Sequence, residues 1–237
     1  MTEQTFSAPL ETVRKQVQDA TQRLLGDTIG ISDADWNGPS RLPGWSRAHV
    51  AAHLAANADA LSALMEATAD GDTVTLYPDA DSRRADIESG SGLTGLELQI
   101  RLDTSAGRLQ RSMEAVQDWS APIDLLGRPL TLAHVPIARL AEVVAHHLDL
   151  DCGFGVDLLP QAPARWLLQW ALRWQGGTPD LPAVRLESTS GLVADLGSGD
   201  QPRTVKGSDA LLWAWLIGRA PADDLEGADT LVLPLRS

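Results

Sequence analysis

Four of the five histidines in this chain fall in two short runs, His49 with His53 and His146 with His147. His49 and His53 are four residues apart, and so are Glu142 and His146. On a helix such a pair shares one face, a single turn apart. Arg139 lies three residues before Glu142, and Asp149 three after His146. A polar stripe Arg139–Glu142–His146–Asp149 therefore runs beside an apolar one of Leu140, Val143, Val144 and Leu148. A half-buried helix with charge along the edge of its core face points to a site. One histidine of the first run with Glu142 and His146 makes a His₂Glu donor set. Neutral imidazole and carboxylate suit Zn²⁺, and three protein ligands leave a position open for water or substrate. At about 100° per residue, Glu142 and His146 differ by roughly 40° around the helix axis, whereas His147 stands roughly 140° away. His147 is thus a neighbour or a supporting group. Spacing alone leaves His49 and His53 as alternatives.

Other chemistries find little support. HExxH, P-loop and GxSxG patterns are absent from the sequence. The runs Ser188–Gly191 and Gly197–Gly199 read as polar loops. Cys152 follows Asp149 and Asp151, whose charge raises a thiol pKa, so it is a poor nucleophile.

The elements that must position these residues are mostly helical. Leu10, Val13, Val17, Leu24 and Leu25 mark a first helix to about residue 25. Gly26, Asp27 and Gly30 break it, and Ser32 to Asp35 reads as a short polar connection. Ser46 caps a second helix, which runs to about Ala69 and carries His49 and His53. Residues 73–92, with Tyr77 and Arg83–Arg84, form a long connection of the kind that is often functional. A third helix spans about Thr94 to Val116, a connection follows from Ser120 to Pro129, and a fourth helix runs from Val135 or Pro136 to Leu150. Four long helices suggest an antiparallel bundle over residues 1–154. Residues 155–237 read as a smaller α/β domain. It has a helix over Ala162–Trp174, strands over Val184–Glu187, Leu192–Leu196 and Thr230–Leu235, and a helix from Ser208 to Gly218. Trp166, Trp170 and Trp174 form a packing stripe.

Composition bounds the function. The net charge of −13 lacks the basic footprint of a general nucleic-acid binder. One cysteine excludes an intrachain disulfide and a multi-cysteine metal site. No apolar run approaches the roughly 20 residues that span a bilayer, and no signal peptide is evident. A cytoplasmic protein is expected, with a monomer favoured.

The segments Gly44–Leu54 (GWSRAHVAAHL) and Arg139–Leu150 (RLAEVVAHHLDL) resemble the second-helix and fourth-helix signatures of the DinB-like superfamily. With the α/β tail, nearly the whole chain resembles the mycothiol-dependent maleylpyruvate isomerase family. The resemblance implies a DinB-like metal-binding bundle in which His53, Glu142 and His146 match the zinc ligands, one zinc per chain. It implies a catalytic arginine after the last helix, matched by Arg219 in Leu216–Arg219 (LIGR). It also matches Arg83 to a position that binds a substrate carboxylate. Mycothiol is the implied thiol cofactor, and the implied role lies in aromatic degradation by the gentisate pathway.

Maleylpyruvate is a cis-configured dianion, and making fumarylpyruvate requires rotation about a carbon–carbon double bond. A thiolate can add to that bond, allow rotation and leave. No cysteine here suits the task, so the thiol must come from outside. Arg219 would hold a substrate carboxylate or stabilise the enolate. Two other readings remain: a mycothiol- or ergothioneine-dependent S-transferase on the same scaffold, and a non-catalytic DinB-like binding module. The open coordination position and Arg219 favour an enzyme.

Overall fold

The structure, a computed structural model, describes residues 8–72, 75–77, 79–175, 181–199, 201–229 and 231. They form two compact units that divide after Phe154. In the first, among the described residues, helices α1 (Leu10–Thr28), α2 (Asp33–Trp36), α3 (Arg47–Ala69), α4 (Ala80–Ser91) and α5 (Gly95–Ala115) precede strands β1 (Pro122–Asp124) and β2 (Pro129–Thr131) and helix α6 (Val135–Leu150). The four long helices make a bundle: α3 packs on α5 and α6, and α1 packs on α6 and α5.

Local chemistry explains the helix ends. Ser46 Oγ accepts from His49 N to start α3. Thr94 Oγ1 accepts from Glu97 N, and the Glu97 carboxylate accepts from Thr94 N at 2.8 Å. This reciprocal cap opens α5 and stabilises it by about 1 kcal/mol. Pro136 sits in the first turn of α6, where its missing N–H costs nothing. Asp151, with φ of 51°, ends that helix in the left-handed region. Val13, Val17 and Leu24 supply the inner face of α1. α3 is buried on nearly all sides, its alanines admitting close neighbours. The bundle core contains Trp36, Leu54, Leu98, Val143 and Leu150.

Three expected connections contain structure. Ser32 caps α2, which delivers Trp36 to the core at 1% exposure. Gly95 makes this possible, because a Cβ there would lie 2.5 Å from the indole. Residues 73–92 contain α4, capped by Asp79 and anchored through Ile87. The Ser120–Pro129 segment begins a hairpin in which Ile123 pairs with Leu130. Leu126 and Gly127 at its tip both have positive φ, as a two-residue type I′ turn requires.

The second unit holds α7 (Gln161–Gln175), β3 (Val184–Ser188), β4 (Val193–Leu196), β5 (Arg203–Gly207) and α8 (Asp209–Leu216). The sheet order is β4-β3-β5, with β3 antiparallel to β4 and parallel to β5. A bundle followed by a smaller region of helices and short strands is thus the observed class of fold. β5 was not expected, since only Val205 of its five residues is buried and apolar. The strand expected over Thr230–Leu235 lies, except for residue 231, outside the described residues. Trp170 is buried and meets Trp174 edge-on with ring centroids 5.6 Å apart, so the tryptophan stripe packs as expected. The Ser188–Gly191 turn is tied down by Ser190 Oγ, which donates to the buried Asp209, itself also bonded by Gln161.

Candidate metal centre

The packing of α3 on α6 brings His53, Glu142 and His146 together, with one ligand atom of each within 4.8 Å of the others. Glu142 Oε2 lies 2.9 Å from His53 Nε2 and 3.4 Å from His146 Nε2. The imidazole rings stand 4.6 Å apart and nearly perpendicular. A tetrahedral zinc with ligands at about 2.0–2.1 Å separates neighbouring donor atoms by roughly 3.3 Å. The donor types and their spacing therefore fit that ion. Support comes from Asp149, 1% exposed, whose Oδ2 is 2.8 Å from His146 Nδ1. This contact holds the proton on Nδ1 and presents Nε2 to the site, the usual arrangement behind a metal-binding histidine.

Charge is distributed unevenly over the cluster. Burial opposes ionisation of Glu142, but hydrogen bonds and positive charge from His146 and His53 outweigh it and hold the carboxyl well below its usual range. Burial also opposes a charged His146, yet Asp149 and Glu142 prevail and its pKa rises. At His53 burial wins over Glu142 and the pKa falls. Without a metal, His146 therefore takes up a proton before His53.

Arg83, on α4, brings Nη2 to 3.3 Å from His53 Nδ1. A guanidinium can only donate, so this contact makes Nδ1 the acceptor and leaves the His53 proton on Nε2, facing Glu142. A metal on Nε2 requires the other tautomer, with its proton on Nδ1. A metal held on His53 Nε2 would therefore displace the Arg83 contact and leave Arg83 to another acceptor.

His49 has different partners. Its Nδ1 is 2.6 Å from Ser46 Oγ, and its Nε2 is 3.5 Å from Glu88 of α4. It completes the cap of α3 and reaches toward α4. His134 similarly folds back on Thr131. Arg219 lies in the second unit just after α8, where its backbone N–H donates to Ala214 O and its Nη1 donates to Ile217 O. Cys152 is half-buried, and burial pushes its thiol up to about 11. It stays protonated at neutral pH and supplies no nucleophile.

His147 faces away from the cluster, stacked on Phe154 at 4.3 Å. Its Nε2 is 3.1 Å from Asp27 of α1 but out of line for a hydrogen bond. Burial brings its pKa from 6.5 to about 4, with Arg23 acting in the same direction and Asp27 against it. Between those two values the unfolded chain holds a proton that the folded protein refuses. Stability is thus lost as pH falls through this window, by an amount on the order of 3 kcal/mol. Urea unfolding at pH 7 and pH 4.5 should show that loss in the wild type and a smaller one in His147→Gln. Equal losses would exclude His147 as the source.

The sequence reading passed over one polar side chain near the site. Asn57 lies one turn beyond His53 on α3, is 5% exposed, and donates from Nδ2 to Tyr77 Oη at 3.3 Å. Its Oδ1 accepts from Arg139 Nη1 at 2.8 Å, and the same Nη1 donates to Leu54 O at 2.8 Å. The i, i+4 spacing from His53 within an alanine-rich helix was the available signal.

The comparisons with known proteins agree with this architecture. Residues 17–151 match the family described as mycothiol maleylpyruvate isomerase N-terminal domain. That is more than half of the sequence, and the chain belongs to this family of enzymes. Two solved structures share the fold: a crystal structure of the mycothiol-dependent maleylpyruvate isomerase, at 24% identity, and one of a histidine-to-alanine mutant of it, at 23%. Each superposes with a TM-score of 0.89 over 98% of this chain and 99% of the other. No curated protein matches the sequence. No described helix is long and apolar enough to cross a membrane.

Proposed function

We propose that this chain is a zinc- and mycothiol-dependent isomerase that converts maleylpyruvate to fumarylpyruvate. The observation that carries the reading is the convergence of His53, Glu142 and His146 within 4.8 Å. Bound there, a zinc ion supplies a Lewis-acidic centre that favours the thiolate form of a thiol ligand near neutral pH. Two neutral imidazoles and one carboxylate leave the loaded site net positive, which suits both a thiolate and a dianionic substrate. The route adds and removes the same thiol, so it needs no oxidant, reductant or other co-reactant. Arg83, which would leave His53 in a loaded site, is assigned to a substrate carboxylate. Arg219 is assigned to a second carboxylate or to the oxygen on which negative charge develops. The reading puts the protein in the cytoplasm, where low-molecular-weight thiols are kept reduced.

The test is an ultraviolet assay of maleylpyruvate with zinc-loaded protein. Turnover should appear with mycothiol and vanish when it is omitted. Turnover that is indifferent to the thiol would sink the mechanism. Conjugation of mycothiol to other electrophiles, without isomerisation, would make the chain an S-transferase.

A further inference from the structure

Beside the candidate ligands lies a chain of hydrogen bonds with a defined direction. It begins at Arg139, which is 3% exposed and has no carboxylate within ion-pair distance among the described residues. Burial brings its pKa down to about 10, so it remains charged at neutral pH. A guanidinium has donors only. Its bond to Asn57 therefore orients the amide, with Oδ1 toward Arg139 and Nδ2 toward the Tyr77 oxygen. Nδ2 is also only a donor, so the phenol oxygen must accept. The Arg83 guanidinium lies 5.2 Å from the Tyr77 ring centroid and adds positive charge beside the phenol. The acceptor side of the hydroxyl is thus occupied by the Asn57 amide N–H. Its own proton meets no acceptor among the described residues.

We propose that Tyr77 is a catalytic hydrogen-bond donor, its O–H aimed at the substrate oxygen that becomes anionic, and that Asn57 and Arg139 are positioning residues that hold its proton in that direction. This rests on the isomerase reading above and names the residue that recognises the 2-oxo acid end of the substrate. Burial and the nearby Glu142 carboxylate keep the phenol protonated. A donor already aimed at developing charge in a water-poor site needs no reorganisation during the reaction, and losing one costs on the order of 10²-fold in turnover. Retaining a buried cation without a carboxylate is costly, and orienting this amide is a use that accounts for it.

Tyr77 is the single tyrosine of the chain, so protein grown on 3-fluorotyrosine gives one ¹⁹F resonance. Oxamate serves as the probe, because its carboxylate and adjacent amide oxygen reproduce the 2-oxo acid end. Adding it to the zinc-loaded protein should shift that resonance, and the shift should shrink in Asn57→Leu at unchanged zinc content. In turnover, Tyr77→Phe should lower kcat on the order of 10²-fold with KM within about threefold, and Asn57→Leu on the order of 10-fold. An unshifted resonance, or a wild-type kcat in Tyr77→Phe, overturns the proposal while leaving the isomerase reading intact. If the wild type isomerises nothing, the isomerase reading fails, and the oxamate shift still decides whether Tyr77 is a donor.

Discussion

Glu142→Ala and His53→Ala proteins are expected to fold yet to carry almost no zinc, where the wild type carries about one ion per chain. Glu142 Oε2 reaches both imidazoles, at 2.9 and 3.4 Å, and supplies the only negative charge among the three donors. Removing it leaves two neutral ligands on separate helices, without the group that draws them together. Removing His53 leaves Glu142 and His146, two ligands on one helix face. Either change should cost isomerase turnover on the order of 10³-fold or more. That exceeds the roughly 10–100-fold typical of a supporting partner. Asp149→Asn falls in that lesser range. It keeps the shape of the side chain but replaces the carboxylate behind His146 Nδ1, so zinc affinity drops while the stoichiometry at saturating metal is kept. Metal analysis of the purified proteins and zinc titration of the apo forms check the series. A folded Glu142→Ala protein that retains a full equivalent of zinc would exclude this site.

The same residues show where sequence reasoning stops. The bundle was legible because its burial is periodic: Val13, Val17 and Leu24 on α1, and Leu98, Leu102 and Leu109 on α5, repeat at helical steps and are almost fully buried. Ser46 and Thr94 mark two helix starts by local hydrogen-bonding chemistry that needs no tertiary context. α4 was hidden because ADSRRADIESGS is polar on nearly every side, with Ile87 alone strongly buried among its described side chains. Tertiary packing on α3 holds it, and no periodicity announces that. β5 is set by pairing with β3, a long-range partnership that RTVKG does not advertise. At the site, the i, i+4 pairing of Glu142 with His146 could be read from helix geometry alone. The choice between His49 and His53 could not, because both lie on one face of α3. The distinguishing cue was the position of His49 three residues after the capping Ser46. A polar side chain at that position turns back to the helix end, and His49 does so. The direction of the Arg139–Asn57–Tyr77 chain depends on contacts between α3, α6 and the segment after α3, so only the folded structure states it.

Arg219→Ala is expected to bind zinc as the wild type does and to lose turnover by on the order of 10²–10³-fold, the cost of removing a donor to developing negative charge. The competing role is visible in the fold. Gly218, with φ of 73°, closes α8 in the left-handed region, and the Arg219 N–H donates to Ala214 O at 2.7 Å. The side chain then returns Nη1 to Ile217 O at 2.6 Å, an arginine placed to cap a helix C-terminus. Capping alone stabilises a helix by about 0.3–1 kcal/mol and has no reason to affect kcat. The two roles are also compatible. A guanidinium carries five N–H donors, so a bond to a carbonyl of its own turn does not by itself exclude a role toward substrate. Arg219→Lys separates them. An ammonium can still interact with the helix end as a cation, but it cannot bind a carboxylate through two parallel bonds. If Arg219 serves the reaction, the lysine variant should recover the melting temperature and little of the turnover. If it only caps α8, the lysine and alanine variants should both turn over like the wild type, with only alanine melting slightly lower.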